Sequence, residues 1–275
     1  MKKLLTLLFA MMLIMALGVG VATAQEKSTL DVVKERGVLI AGVKDSVVPF
    51  GFVDEAARDL VGFDVDVCRY IADELGVDLE LKPVTSSNRI PMLTDGQVDI
   101  LAATMTHKME RDEVIDFSIT YFMDGQKLLT AADSGITSYE DLAGKKVGSV
   151  KGSTSEKNII GVQPDCEVVS FEGYPESFLA LKQGKVVAMT TDSVILVGLK
   201  GSDPEPAKWA IVGDAFSIEP YGLGLPENDS EWRDFVNFTL IKMWNTGAWH
   251  EIYETWLGPD TNYYMPLTWD MEIWP

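Results

Sequence analysis

Apolar positions along the chain follow two spacings that replace each other in turn, which predicts alternating strands and helices. Short apolar runs are typical of buried strands, and apolar residues three or four positions apart are typical of helices. The first series is a strand at 37–43, a helix at 62–76, a strand at 78–84, a short helix at 89–96 and a strand at 98–104. In the helix at 62–76, Asp64 is the predicted N-cap, and Cys68, Ile71 and Leu75 share the inward face.

A second series of the same kind begins after Gly144. Strands are predicted at 145–150, 166–171 and 186–191, and helices at 153–160, 175–184 and 193–201. Two such series indicate two α/β units, each with a parallel sheet covered by helices. Amphipathic helices are predicted at 230–244 and 248–258, and the aromatic tail at 261–275 is expected to pack on the body of the protein.

Two extended segments, 119–126 and 217–226, lie between the two α/β units. Two crossings of this kind predict a hinge and a cleft between two lobes. Ligands of open α/β sheets bind beyond the carboxyl ends of the strands, which would face each other across such a cleft. The predicted division places residues 25–121 and 222–275 in lobe 1 and residues 122–221 in lobe 2.

The first 24 residues form a separate segment. A basic start at Lys2 and Lys3 precedes an apolar run at 4–22, and the small residues Ala22 and Ala24 flank Thr23. This pattern is typical of a cleaved signal peptide, so residues 1–24 are assigned to one and the mature chain is expected in the periplasm or another extracytoplasmic compartment. The run is also long enough to span a membrane, and an uncleaved anchor is the alternative.

The net charge limits the possible partners. The chain has 275 residues, of which 23 are basic and 42 acidic, and without Lys2 and Lys3 the formal charge is −21. Such a charge argues against nucleic acid or anionic membrane surfaces as partners. Salt confines the reach of exposed charges to about 10 Å, so a local cationic pocket remains compatible with an acidic surface.

The stretch PVTSSNRIPML, at 83–93, places Arg89 at the start of a predicted short helix. A helix N-terminus already carries partial positive charge and unpaired N–H groups, so a cation there is unfavourable unless an anion lies opposite. We therefore expect an anionic partner for Arg89. An ion pair with Asp95 is the alternative within the chain.

Five segments together resemble a known family, and their order and spacing strengthen the match. They are VPFGFVD (48–54), VGFDVDVCRYIADELG (61–76), GQVDILAATMTHKMERDEVIDFS (96–118), GKKVGSVKGSTSE (144–156) and VVAMTTDSVIL (186–196). The chain resembles the extracytoplasmic solute-binding proteins of polar amino acid ABC importers. The stretch at 83–93 makes it most similar to the glutamate/aspartate-binding branch.

The resemblance implies a fold, a ligand and a partner. The fold is the two-lobed type II periplasmic binding protein fold, with two α/β lobes joined by two extended hinge crossings. The ligand is glutamate or aspartate, bound in the interlobe cleft without a cofactor or metal and delivered to a membrane-embedded ABC permease by a monomer. Another polar amino acid such as glutamine is the alternative ligand.

The resemblance also implies roles for individual residues. Arg111 clamps the α-carboxylate of the ligand, together with Thr104, Thr106 and Thr154, and Asp192 takes the α-ammonium. An arginine fork suits a carboxylate because it donates two parallel hydrogen bonds. A surface ion pair is the alternative for Arg111, which stands among acidic residues, and a helix cap is the alternative for Asp192.

The same resemblance assigns the side-chain carboxylate of the ligand to Lys44, Ser86 and Arg89. Tyr174 stands where the branch can have a histidine, and Lys44 where it can have an arginine. A lysine keeps the charge but loses the bidentate geometry, which leaves the preference between glutamate and aspartate open. Simple solvation is the alternative for Lys44.

Motifs of catalysis are scarce. The chain has two histidines, His107 and His250, and it lacks HExxH, GxSxG and paired CxxC motifs, so we expect a binding protein rather than an enzyme. A dehydratase of the cyclohexadienyl type, which shares this fold, is the enzyme alternative, with Glu172 or Glu176 as its acid.

Two further expectations concern single side chains. Cys68 and Cys166 are expected to be free thiols, with a disulfide between them as the alternative. Phe50 and Phe52 either line the pocket or pack in the core, and core packing is the more common fate of phenylalanine.

Overall fold

The computed structural model describes residues 27–273, so the predicted signal peptide lies outside the described residues. Within 27–273, no helix is both long and apolar enough to cross a membrane. The helices are α1 (Thr29–Arg36), α2 (Phe63–Leu75), α3 (Arg89–Thr94), α4 (Met109–Asp112), α5 (Ser155–Val162), α6 (Tyr174–Lys182), α7 (Ser193–Gly201), α8 (Ser230–Thr246) and α9 (Ala248–Leu257).

The strands form two five-stranded sheets and a small third sheet. They are β1 (Val38–Val43), β2 (Ser46–Val47), β3 (Gly51–Asp54), β4 (Asp59–Val61), β5 (Asp78–Pro83), β6 (Ile100–Ala102), β7 (Asp116–Asp124), β8 (Gln126–Ala131), β9 (Lys146–Val150), β10 (Glu167–Phe171), β11 (Ala188–Asp192), β12 (Trp209–Val212) and β13 (Glu219–Leu225). Short 3-10 turns occur at Tyr139–Leu142 and Pro206–Lys208.

The first sheet has the order β5-β1-β6-β13-β7. Strand β1 pairs in parallel with β5 and β6, and β13 pairs antiparallel with β6 and β7. The second sheet has the order β10-β9-β11-β8-β12, in which β9 pairs in parallel with its two neighbours and β8 pairs antiparallel with β11 and β12. The predicted α/β alternation in two units is therefore confirmed.

The expectation of purely parallel sheets is wrong, because each sheet also holds antiparallel strands. The chain leaves the first sheet along β7, enters the second along β8 and returns along β13. Strand β13 runs opposite to the other strands of the first sheet, and β8 runs opposite to the other strands of the second. Strand β7 runs to Asp124 and β13 begins at Glu219. The residue bounds of the two lobes stay a prediction.

An aromatic core fills the space between the first sheet and the C-terminal helices. Phe50 is fully buried and meets Phe122 edge-on, with ring centroids 4.9 Å apart, while Phe52 packs on Trp256. Both phenylalanines therefore belong to packing contacts rather than to the polar pocket. The C-terminal tail packs here as well, because the ring centroids of Trp269 and Trp249 lie 5.5 Å apart. This confirms, for the described part of the tail, the expectation that it packs on the body of the protein.

Two local predictions on α2 have different outcomes. The N-cap is Gly62, and Asp64 lies in the first turn with its side chain buried, so the N-cap assignment of Asp64 is wrong. The inward face is confirmed by the burial of Cys68 and Ile71.

Both cysteines are free thiols, and burial raises the pKa of Cys68 and of the half-buried Cys166.

Candidate ligand-binding site

The nine predicted site residues come from both α/β units. Lys44, Ser86, Arg89, Thr104, Thr106, Thr154, Tyr174 and Asp192 are buried, and Arg111 is half-buried. Most of them follow strand ends or open helices: Lys44 follows β1, Asp192 ends β11, and Tyr174 opens α6. The carboxyl ends of parallel strands are where open α/β sheets place ligand contacts.

One end of the site, here called the cationic end, consists of Lys44, Ser86, Arg89 and Tyr174. The Nζ atom of Lys44 donates to Oγ of Ser86 at 2.8 Å. A cavity of about 30 Å³ lies beside Lys44, Ser86 and Tyr174. Burial, followed by the charge of Arg89, holds the pKa of Lys44 well below its usual value.

Arg89 is buried in this end and binds backbone carbonyls. One terminal nitrogen donates to the carbonyl oxygens of Ala103 and, at 3.2 Å, of Thr104, whereas Asp95 is not a partner. The Nε atom is buried and has no hydrogen-bond partner among residues 27–273. Burial, then the charge of Arg111, lowers the pKa of Arg89 to about 9.

Arg111 bridges the two units. Its Nη1 donates to the Thr106 carbonyl at 2.8 Å and its Nη2 to the Gly152 carbonyl at 3.1 Å. Neighbouring acids have other partners, since Glu110 pairs with Lys157 and Asp112 binds the ring of His107. In the described part of the chain, no ion pair includes Lys44, Arg89 or Arg111.

Asp192 lies at the other end of the site and does not cap α7 with its side chain. Its Oδ1 accepts from Nε2 of Gln126 at 3.1 Å, and its Oδ2 accepts from the hydroxyl of Tyr221 at 2.5 Å. Burial, followed by the nearby Glu219 and Asp124, raises the pKa of Asp192 to about 8. A cationic group placed here would offset the cost of a buried carboxylate.

Glu219 is a buried residue of the site that the sequence analysis missed. Its Oε2 accepts from the hydroxyls of Thr106 (2.5 Å) and Thr154 (2.9 Å), and its Oε1 accepts from Asn158 (2.8 Å) and Ser217 (2.7 Å). Of the three threonines assigned to the ligand, Thr106 and Thr154 therefore donate to Glu219 in this structure, and Thr104 donates to the carbonyl oxygen of Ala103 at 2.9 Å. The signal available in the sequence for Glu219 was a single acidic residue at the start of the apolar strand β13.

Asp64 is the second acid that was missed at this site. Its Oδ2 accepts from the backbone N–H of Thr104 at 3.0 Å, and its Oδ1 accepts from the hydroxyl of Tyr121 at 2.6 Å. Burial raises the pKa of Asp64 to about 7. Its position in the first turn of α2 gave no sign that its side chain would be buried against Thr104.

The two units are in close contact on both sides of the site. A Cβ atom on Gly152 would lie 2.6 Å from the carbonyl oxygen of Ser86, and one on Gly198 would lie 1.7 Å from that of Val48. Real Cβ contacts do not come so close, so both glycines allow backbone of one unit to approach the other. The arrangement described here is a closed one.

The acids proposed for dehydratase chemistry lie on the surface. Glu172 and Glu176 are both exposed, and Glu172 pairs with Lys151. A poised general acid requires a raised pKa and a place beside the reacting group. Neither side chain is buried, although Glu172 lines the small cavity beside the cationic end.

Comparison with known proteins identifies the family of this chain. The family model for bacterial extracellular solute-binding proteins, family 3, matches residues 39–259. The chain belongs to this family. Its fold is the type II periplasmic binding protein fold, which confirms the predicted fold class.

Individual relatives differ in their named ligands. The ABC transporter glutamine-binding protein GlnH of Bacillus subtilis (strain 168) is 39% identical, covering 94% of this chain and 99% of the relative. The glutamate/aspartate import solute-binding protein of Salmonella typhimurium is 32% identical, covering 89% of this chain and 86% of the relative. A solved structure of an ancestral arginine-binding protein bound to glutamine is 40% identical, with a TM-score of 0.77, covering 81% of this chain and 99% of that one.

These relatives confirm the expected class, an amino acid solute-binding protein of the ABC transporter type. They favour the glutamine alternative over the glutamate/aspartate branch, because the glutamine-binding relative is the more similar of the two. The stretch at 83–93, on which the similarity to the glutamate/aspartate-binding branch was based, therefore does not by itself identify an acidic ligand.

Proposed function

We propose that the cleft binds L-glutamine and that the closed, loaded protein delivers it to a membrane-embedded ABC permease. The observation that carries the proposal is the buried set formed by Arg111, Asp192 and the cationic end. This set offers a partner to each polar group of the ligand. Dry polar groups need such partners because an unpaired one is costly.

The α-carboxylate and the α-ammonium of the ligand would each have a partner of opposite charge. Arg111 has no carboxylate partner in the described chain and suits the α-carboxylate. The buried Asp192 suits the α-ammonium, which would replace the proton that its raised pKa of about 8 retains. The N-terminal end of α5 adds backbone N–H groups next to Thr154.

The cationic end suits a carboxamide. The amide oxygen accepts from Lys44 or from the unpartnered Nε of Arg89, and the amide nitrogen donates to Ser86 or Tyr174. Hydroxyl groups accept as well as donate, whereas a ligand carboxylate only accepts. A lysine whose pKa is lowered also fits an uncharged group without a second buried charge.

L-Glutamate is the second candidate, and a specific observation favours it. Lys44, Arg89 and Arg111 are three cations without an ion-pair partner in the described chain. A ligand with two carboxylates would offset two of them. The glutamate/aspartate-binding relative is consistent with this candidate.

Closure is proposed to occur at the two crossings between the lobes. Gly125 separates β7 from β8, and a Cβ atom there would lie 2.7 Å from the carbonyl oxygen of Ser217 on the other crossing. Small backbone rotations at such points move whole domains. We propose that the lobes comprise residues 25–121 with 222–275 and residues 122–221, and that the protein works as a monomer.

A calorimetric titration tests the proposed ligand. The purified protein is stripped of bound amino acid by unfolding and refolding and is titrated with L-glutamine, L-glutamate, L-aspartate and L-arginine. We expect glutamine to bind most tightly and glutamate next. Arginine should bind at least about 100-fold more weakly than glutamine, because the guanidinium of the ligand would face the like charges of Lys44 and Arg89. Tight arginine binding, or no heat with any of the four, would contradict the proposal.

The variant Arg89→Ala separates the two candidate ligands. We expect it to weaken glutamate binding far more than glutamine binding, since only glutamate brings a charge to the cationic end. Arg69→Ala, which removes an exposed arginine on α2, is the matched control. An equal loss for both ligands would contradict the assignment of Arg89 to the ligand side chain.

A further inference from the structure

We infer that Asp64 sets the balance between glutamine and glutamate in this cleft, by holding Thr104 in position and by offsetting the charge of Lys44 and Arg89. Asp64 is then a positioning and specificity-determining residue rather than a ligand contact. The inference rests on the proposed function, because it concerns the same cleft and its side-chain end.

Asp64 is fully buried and both of its oxygens are occupied. One accepts from the backbone N–H of Thr104 and the other from the hydroxyl of Tyr121. Thr104 has a φ angle of 45°, a left-handed conformation that is costly for a β-branched residue. The hydrogen bond from Thr104 to Asp64 therefore holds a backbone conformation that this residue would otherwise avoid.

The held backbone in turn positions Arg89. The carbonyl oxygens of Ala103 and Thr104 both accept from one terminal nitrogen of Arg89. Asp64 thus acts on the guanidinium through the turn at 103–104. The unpartnered Nε of Arg89 is left for the ligand.

Asp64 is also one of the acids whose charge acts on the cationic end, where Asp45 acts on Lys44 and Asp192 acts on Arg89 as well. The charged and titratable groups around Asp64 are Lys44, Arg89, Tyr121 and, one turn along α2, Cys68. Protonation of Asp64 removes one negative charge from the surroundings of Lys44 and Arg89, so the net charge there becomes more positive by one. A more positive surrounding favours a ligand carboxylate over a carboxamide.

The pH dependence follows from this charge balance. The pKa of Asp64 is raised to about 7, so the carboxyl takes up a proton as the pH falls through neutrality. The ratio of glutamate affinity to glutamine affinity should therefore rise as the pH falls from 8.5 to 5.5. The α-groups and Asp192 are common to both complexes and cancel in the ratio, and the glutamate side chain stays ionised above about pH 5. Lys44, whose pKa is lowered, remains in Asp64→Asn, so the difference in pH slope between wild type and variant isolates Asp64.

The variant Asp64→Asn tests the inference. Asparagine keeps the shape, accepts from Thr104 through its oxygen and donates to the Tyr121 oxygen through its nitrogen. We expect the affinity ratio of glutamate to glutamine to rise about tenfold at pH 8.5, as the loss of one close buried charge predicts. At pH 5.5 the variant and the wild type should show the same ratio.

The control is Asp73→Asn, which removes an exposed carboxylate from the same helix and leaves Asp64 and its hydrogen bonds in place. The ratio at pH 8.5 should stay at the wild-type value. An unchanged ratio in Asp64→Asn at pH 8.5, or the same pH slope in that variant as in the wild type, would overturn the inference.

Three further outcomes are decisive. If Asp64→Asn does not fold, the wild-type profile decides, and a ratio that stays constant from pH 5.5 to 8.5 overturns the inference. If the wild type binds neither amino acid, the proposed function fails. If it binds both and only the ratio is insensitive, the function stands and the role of Asp64 is wrong.

Discussion

We expect amino acid binding to depend more strongly on Arg111 than on any other single side chain. Its guanidinium reaches the carbonyl oxygens of Thr106 in one unit and of Gly152 in the other, and it has no carboxylate partner in the described chain. Under the proposed function it would combine two tasks: binding the carboxylate that all amino acids share, and joining the two units through the carbonyls of Thr106 and Gly152.

The variant Arg111→Ala is expected to abolish measurable amino acid binding. Truncating one partner of a buried charge pair costs about 2–5 kcal/mol, which corresponds to a loss of about 30-fold to several thousand-fold in affinity. Calorimetric titration with glutamine measures the loss. Arg233→Ala, at an exposed position of α8, is the control and should bind normally. Affinity within tenfold of the wild type in Arg111→Ala would contradict its role.

Helix α7 brings the second unit against the first. Gly198 lies in the middle of this helix and meets the carbonyl oxygen of Val48, which follows β2. A side chain at this position has no room in the closed arrangement. The helix itself would tolerate alanine well, because alanine is about 1 kcal/mol more favourable than glycine in a helix interior.

The variant Gly198→Ala should therefore weaken glutamine binding at least about tenfold without lowering the melting temperature of the ligand-free protein. Steric blocking of closure is the reason, and titration together with thermal unfolding provides the measurement. Gly161→Ala is the matched control, since Gly161 lies in α5 with open space around its Cβ position. Wild-type affinity in Gly198→Ala would show that closure does not require this contact.

Helices and strands with strong apolar periodicity could be predicted from the sequence. The span of α7, Ser193–Gly201, coincides with its prediction because a nearly continuous apolar run follows a strand and a polar residue. The sheet of β2, β3 and β4 was missed because its strands are short and half-exposed. The antiparallel direction of β8 and of β13, each within its own sheet, was also missed. The direction of a strand depends on the path that the chain takes between the sheets.

The candidate site could be predicted in part. Lys44, Arg89 and Asp192 stand out as charges beside strand ends or helix starts, and the structure brings them into one buried region. Glu219 and Asp64 could not be found in this way, because their burial and their hydrogen bonds to Thr106 and Thr104 depend on tertiary contacts. Local patterns show which residues carry charge and do not show which charges become enclosed.

The whole molecule combines an acidic surface with a cationic interior site. The formal charge of the entire chain is −19, yet Lys44 and Arg89 lie buried between the two α/β units. Burial strengthens their interactions and removes them from the screening that weakens surface charges. A small zwitterion with a polar side chain can satisfy such a site.

A crystal structure of the protein grown with L-glutamine tests this arrangement at atomic resolution. We predict glutamine between the two units, with its α-carboxylate on Arg111, its α-ammonium on Asp192 and its carboxamide beside Lys44 and Arg89. Density for glutamine elsewhere, with Arg89 and Arg111 bound to acids of the protein or turned to solvent, would contradict the account.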